Sequence, residues 1–420
     1  MNSIAKTLFS SFTLVVLIGF TLLRLPIMIK DGIEINYIDT LFTAVSATCL
    51  TGLTVLNIGD TFTIQGQIVL LLLIQFGGLS VLTFANYFIR NIASKANQSI
   101  KTLFKEILIF TLAFELIGAV GLFTVWDHSL FISTNERIYY SIFHSISAFC
   151  NAGFSLFDDS IIGINVYSQM VLISIIVIGS FGFSGIREIV HPKAVRERIN
   201  NPKQLLHVNT RISINTMVII SFVGSAGFYV MDMYNASDKM FDKIVWSLFQ
   251  AVTARSAGFN AVDLNTLNNG SIGLLILLMF VGASSGSTGG GVKSSTIAVL
   301  ILRLKAKLTR ALKGEPSSIW ISDLLLKKAL LLIKVTIASI TAGTALLYFT
   351  EADFNIRQLL FEQVSAITTT GLSLGITSEL SSIGKCIVML SMFFGRTVLL
   401  NIAFTSNEVD SKSDDEIFIG

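Results

Sequence analysis

Apolar residues gather in eight runs along the chain, near residues 7 to 29, 65 to 89, 105 to 126, 165 to 186, 209 to 231, 270 to 302, 325 to 350 and 380 to 404. Each is long enough to cross a hydrocarbon layer of about 30 Å as a helix. Between the odd and even runs stand four amphipathic stretches, "YIDTLFTAVSA", "IYYSIFHSISA", "KIVWSLFQAVT" and "IRQLLFEQVSA". At about 10 to 12 residues they are too short to cross, and they predict half-helices that enter the layer and stop near its middle. The pattern therefore predicts an all-α integral membrane protein. The continuation of the first run, "GFTLLRLPIMIK", has no small-residue cleavage pattern, so the run is expected to stay as an anchor and not to be removed as a signal sequence.

Composition agrees and narrows the function classes. With 52% hydrophobic and 14% charged residues, the 420-residue chain is too apolar for a soluble domain of this length. Cys49, Cys150 and Cys386 lie in apolar surroundings without CxxC spacing, which excludes a sequence-readable zinc site or disulfide framework and makes Cys49 and Cys150 small packing residues. Cations cluster after the even runs: Arg90, Lys95, Lys101 and Lys105; then Lys193, Arg196, Arg198 and Lys203; then Arg303, Lys305, Lys307, Arg310 and Lys313. Short cationic loops mark the cytoplasmic face, so both termini are expected there. The opposite loops carry acids, among them Asp39, Asp158, Asp159, Asp263 and Glu351. Two readings of these acids stand side by side: ordinary topology, or a mouth that attracts cations.

The segment after each half-helix repeats. "SATCLTGLTV", "SISAFCNAGFSLFDD", "QAVTARSAGFNAVD" and "VSAITTTGLSLG" align on Gly52, Gly153, Gly258 and Gly371, spaced by about 100 to 115 residues and each followed by Leu or Phe. The expected unit is span, re-entrant half-helix, extended polar strand ending at Gly, span. Two spans per unit return the chain to its starting side, so the four units run parallel and can surround one axis, which disfavours an inverted repeat. The expected division is 1–95, 96–200, 201–315 with its inner helix interrupted at 282–291, and 316–406, followed by an acidic cytoplasmic tail at 407–420.

Non-helical backbone at membrane depth survives only where protein buries it or water reaches it. Four such strands around an axis can aim carbonyl oxygens inward and replace the hydration shell of a cation. Glycine admits the positive φ that the reversal needs, and the carboxyl ends of the half-helices add partial negative charge. The arrangement suits a desolvated monovalent cation.

These repeated loops resemble those of the Trk/Ktr/HKT superfamily of potassium transporters, most closely the membrane subunit of the bacterial Ktr type, over nearly the whole chain. The resemblance implies a selectivity filter built from Thr48, Cys49, Leu50, Thr51 and Gly52; Phe149, Cys150, Asn151, Ala152 and Gly153; Ala254, Arg255, Ser256, Ala257 and Gly258; and Ile367, Thr368, Thr369, Thr370 and Gly371, with potassium at the backbone carbonyls. Only one glycine per strand recurs, as in the family, where this implies looser selectivity in some members. The chain lacks the leading pair of spans of the Trk type, which favours the Ktr reading. The resemblance further implies a homodimer of membrane subunits in the lipid bilayer and a separate cytosolic ring that binds nucleotide. The short cytoplasmic loops leave no room for a nucleotide domain in this chain.

Several residues break the apolar pattern. Arg255 lies within the third strand, where a cation facing the axis would repel potassium; it is expected to point behind the strand toward a carboxylate, with Glu362 as the candidate. "VGASSGSTGGGVKSSTIAVL" interrupts the sixth run, and Val292 before Lys293 rules out a phosphate-binding loop. It reads either as a packed helix kink or, as the resemblance implies, as a gate beneath the filter comprising Gly282, Ala283, Ser284, Ser285, Gly286, Ser287, Thr288, Gly289, Gly290 and Gly291, with Lys293. Arg396, inside the eighth run, is either half of a structural ion pair or, by resemblance, a barrier in the pore and a partner of the loop. Glu115 is a further charge in an apolar run with no assigned role, and Arg187 is expected to snorkel at the cytoplasmic end.

The expected function is potassium uptake, with sodium as an activator or coupling ion and nucleotide acting only through the partner ring. A sodium-selective or unselective cation channel is the alternative. A membrane-embedded lipid-modifying enzyme would need clustered ligands, whereas His128, His144, His191 and His207 are scattered. Nothing in the sequence points to nucleic acid. The tail "SNEVDSKSDDEIFIG" reads as a disordered solubilising end or as a contact for the ring.

Overall fold

A computed structural model describes residues 3–94, 100–200, 206–232, 239–313 and 323–404. Among them all regular structure is helical, with two isolated β-bridges, Ile29 with Phe62 and Val281 with Val292. The tail at 407–420 and the expected boundaries near 95, 201, 315 and 406 lie outside the described residues, as do Lys95 and Lys203.

The four half-helices form at Tyr37–Cys49, Thr134–Phe149, Met240–Thr253 and Ile356–Ile367. Side chains fix several of their starts. The Ser133 hydroxyl accepts from the Glu136 amide, and Asn355 and Gln358 form a reciprocal capping box, which takes up amides that a helix start leaves without partners.

Four long apolar helices can each cross a membrane by length and composition: Ile64–Thr83, Lys101–Val125, Val208–Met231 and Asp323–Thr350. The other runs depart from the expected simple spans. The first ends as a helix at Leu23 and continues into a short 3-10 turn at Pro26–Met28, because Pro26 cannot extend the helical ladder. The fourth is two helices, Val166–Phe181 and Phe183–Val190, bent by 104° at Gly182. The sixth is Asn269–Phe280 and Ser294–Lys313, parted by thirteen residues, so it is a true break and not a kink. The eighth forms Ser382–Phe404.

Packing is cyclic. Each half-helix lies against the outer helix before it, and each inner helix lies against the next half-helix: Ile64–Ser94 on Thr134–Phe149, Val166–Phe181 on Met240–Thr253, Asn269–Phe280 on Ile356–Ile367, and Ser382–Phe404 on Tyr37–Cys49. The last contact returns to the first unit. Large side chains directly after the four glycines, Leu53, Phe154, Phe259 and Leu372, are buried and anchor each segment in the core.

Candidate functional site

Each half-helix ends in the same local device. Two residues before the glycine the backbone turns left-handed, at Leu50, Asn151, Ser256 and Thr369, and the glycines follow at φ +90°, +70°, +78° and +95°. Hydroxyl residues near the half-helix end secure the turn. The amides of Gly52 and Gly371 donate to the hydroxyls of Ser46 and Ser365 at 3.1 and 3.0 Å; the hydroxyls of Ser147 and Thr253 donate to the carbonyls of Phe154 and Phe259 at 2.8 and 2.9 Å. The sequence reading missed these four hydroxyls, although they recur five or six residues before each glycine. The segments are not extended strands throughout: Thr48, Cys49, Phe149 and Ile367 still belong to the half-helices, whose ladders run on until the left-handed residue stops them.

The four segments meet. A side-chain carbon added to Gly52 would lie 2.5 Å from the Ala152 carbonyl oxygen, and one on Gly153 would lie 2.8 Å from that of Ala257. One on Gly258 would strike the Thr370 carbonyl, and one on Gly371 the Thr51 carbonyl. The contacts run from first to second, second to third, third to fourth and fourth to first. They close a ring in which only glycine lets the next backbone come so near. All the candidate residues of the four segments are buried.

On one side of this ring lies a cavity of about 520 Å³, lined by all four glycines, by residues that follow them, and by Asp158, Asp159 and Asp263. Neighbouring units are tied around it: Asn57 donates to the Asp158 carboxylate at 2.7 Å, and the Ile161 amide to the Asn260 carbonyl at 3.1 Å.

On the other side, residues before the glycines meet the loop that parts the sixth run. The loop folds on itself through Gly282 N to Val292 O at 3.0 Å and Ala283 N to Gly290 O at 3.3 Å. The Thr288 hydroxyl lies 3.1 Å from the Phe149 carbonyl and accepts from the Asn151 side chain at 2.8 Å. The Gly290 amide donates to the Ser256 hydroxyl at 2.6 Å, which itself donates to the Thr369 carbonyl at 3.0 Å. The loop also packs against the bend in the fourth run. Gly182, at φ +92°, presses against Ser285 and Gly286, and the Phe183 amide donates to the Gly286 carbonyl at 3.2 Å.

Two buried cations face this loop. Arg396 donates to the Thr288 carbonyl at 2.7 Å, and Lys293 to the Gly289 carbonyl at 2.5 Å. No carboxylate pairs with Arg396 among the described residues; its recorded partner is the loop. Arg255 is buried, and its partner is not Glu362: it donates to the Gly282 carbonyl at 3.1 Å, while Glu362 accepts from Ser373 and, at 3.1 Å, from Thr377. The loop carbonyl lies within reach of the guanidinium, and the serine and threonine that follow Gly371 already fill the carboxylate.

Three further polar side chains find partners. Glu115 accepts from the Gln75 side chain at 2.7 Å, and the Cys150 thiol donates to the Gln75 carbonyl oxygen at 3.2 Å, so Cys150 joins a polar network behind its strand and is more than a packing residue. Arg187 pairs with Glu106 at 3.4 Å. Gly77, Gly179 and Gly395, on three inner helices, sit against the carbonyls of Thr48, Phe149 and Ile367 so closely that no larger residue fits. In single-sequence reading they are lost among the other glycines of apolar helices.

The family model of TrkH, described as a cation transport protein, matches residues 7–413. The chain is 30% identical to the potassium/sodium uptake protein NtpJ of Enterococcus hirae, over 94% of this chain and 91% of that protein. It is 33% identical to the Ktr system potassium uptake protein D of Bacillus subtilis, over 94% and 91%, and 33% identical to the Ktr system potassium uptake protein B of Vibrio alginolyticus, over 94% and 89%. In three dimensions it is similar to the crystal structure of the potassium transporter TrkH from Vibrio parahaemolyticus, with a TM-score of 0.71 at 21% identity, over 95% of this chain and 85% of that one.

Proposed function

This chain belongs to the TrkH family of cation transport proteins and is a multi-pass membrane transporter, not an enzyme; on that premise we propose that it takes up potassium through a filter formed where its four glycine segments meet. The closed ring of contacts from Gly52 to Gly153, Gly258, Gly371 and back carries this reading. Four parallel units, divided as the sequence repeats divide, place stacked carbonyls around one path, and those carbonyls stand in for the water that a cation sheds on entry. The carboxyl ends of the half-helices lower the potential there, and the acidic cavity concentrates cations before it.

The loop from Gly282 to Gly291, held by Arg396 and braced by Lys293, is the gate. Its positive partners raise the electrostatic barrier, and its hydrogen bonds to Phe149 and Ser256 tie its position to the filter. Control comes from a cytosolic nucleotide-binding ring acting on a homodimer of this subunit, with both termini cytoplasmic; relatives named as components of a Ktr system support that assembly.

A second reading, transport of sodium as well as potassium, is favoured by the single glycine per segment and by a relative named for both ions. Uptake by cells without their own potassium systems tests both. The chain should restore growth at low potassium, and replacing any ring glycine with Ser should lower the potassium-to-sodium uptake ratio. Restored growth with four silent replacements would overturn the filter assignment.

A further inference from the structure

Position by position, two of the four units share a feature that the other two lack. Nine residues before the ring glycine stands His144 in the second unit and Glu362 in the fourth, both fully buried in half-helices. His144 Nδ1 lies 2.8 Å from the Tyr140 carbonyl, which makes it the protonated nitrogen and leaves Nε2 as an acceptor. That Nε2 lies 3.0 Å from the Ser155 hydroxyl and accepts from the Leu156 amide at 3.4 Å. Glu362 repeats the pattern: it accepts from the Ser373 hydroxyl and from the Leu374 amide. In each case a buried polar side chain meets the residues two and three places after the glycine; the Ser155 hydroxyl also donates to the Ser160 carbonyl at 2.8 Å.

The corresponding positions of the first and third units are Thr43, which turns back to the Asp39 carbonyl at 2.8 Å, and Phe249, which has no hydrogen-bonding group. Ser155 and Ser373 both line the acidic cavity directly outside the glycine ring. In the order of contacts around that ring their units are not neighbours but opposites.

We propose that His144 and Glu362 are positioning residues for cation discrimination: as a pair of buried braces they hold the lip of the ion path at Ser155 and Ser373, on two opposite sides, where the half-helices of the first and third units supply no such brace and Asn260 is held instead by Ser160 and Ile161 of the neighbouring unit. The inference rests on the filter reading above. A lip braced from within its own half-helices on one axis only forms a two-fold site, whose spacing along that axis resists collapse around a smaller ion. The braces act through the serines and do not touch the ion.

The test is potassium and sodium uptake by His144→Ala, Glu362→Ala and their conservative partners His144→Gln and Glu362→Gln, which keep an acceptor oxygen, beside Gly153→Ser. Loss of one buried hydrogen bond corresponds to about a tenfold change in an equilibrium, so each Ala variant should lower the potassium-to-sodium ratio by about tenfold. The change should appear in the half-saturating potassium concentration more than in the maximal rate, and Gln should restore it. Should the Ala variants fail to reach the membrane, Ser155→Ala and Ser373→Ala remove the same contacts from the cavity side and should shift the ratio likewise. An unchanged ratio in braces and serines alike, with a reduced ratio in Gly153→Ser, overturns the brace while the filter stands. An unchanged ratio in all of them overturns the filter as well.

Discussion

Arg396 on the last inner helix donates to the Thr288 carbonyl at 2.7 Å, so a charge from the fourth unit holds the loop that interrupts the third. A hydrogen bond from a charged group contributes about 1.5–3 kcal/mol net, and this one joins the loop to a helix more than a hundred residues away in sequence.

Replacing Arg396 with Gln should therefore release the loop and remove a positive charge from the path together. Rubidium flux into proteoliposomes is expected to rise about tenfold or more, since 1.4 kcal/mol is a factor of ten. A slower flux from correctly folded protein would contradict the gating role.

Thr288→Val keeps the volume of the side chain but strips the hydroxyl shared by Phe149 and Asn151, leaving the buried amide of Asn151 short of a partner. A cost of about 1–3 kcal/mol is expected. Purified Thr288→Val should unfold at a lower temperature and leak more rubidium than Thr288→Ser, which retains the hydroxyl; equal behaviour of the two variants would detach the loop from the filter.

The ring glycines should not respond equally. A side chain on Gly153 would meet its neighbour's carbonyl at 2.8 Å and one on Gly52 at 2.5 Å, whereas those on Gly258 and Gly371 come closer still. Substitution by Ala is thus expected to cost potassium preference least at Gly153 and most at Gly371 and Gly258. Competition of sodium against rubidium uptake reads the order, and a flat series would dissociate the contacts from selectivity.

Asp159→Asn and Asp263→Asn take charge from the cavity without disturbing the ring. The half-saturating potassium concentration should rise a few-fold at low ionic strength and return toward the unaltered value as an inert salt is added, because exposed charges act over a Debye length of about 10 Å at 0.1 M. Maximal rates should not move; a fall in rate at saturating potassium would assign these acids to the path itself.

Arg255→Leu breaks the contact with the Gly282 carbonyl and leaves that carbonyl buried without its donor. Lower membrane abundance or a lower melting temperature is the expected outcome, with Arg255→Lys intermediate because one ammonium cannot match the reach of a guanidinium. Full abundance with unaltered transport in Arg255→Leu would leave the residue without a role.

What could be read along the chain was local and periodic. Apolar runs, amphipathic half-helices and a glycine at a fixed distance after each half-helix are properties of neighbouring residues, and the half-helices and the positive φ at Gly52, Gly153, Gly258 and Gly371 follow from them. The polar break at 282–291 was visible for the same reason, since no lipid-facing helix accommodates that run of glycine and serine. Partners were not legible. Nothing near Arg255 in sequence announces Gly282, nothing near Glu115 announces Gln75 and Cys150, and the continuous apolar run through Gly182 hides a bend at which Ser285 and Gly286 pack against the chain. The sequence by itself determined four similar units and where each would leave the helix, because backbone propensity and hydrophobic period act over a few residues. The tertiary structure decided that the units close into a ring and which carbonyl each buried cation would find, because those choices depend on surfaces about a hundred residues apart that meet only when the helices have packed.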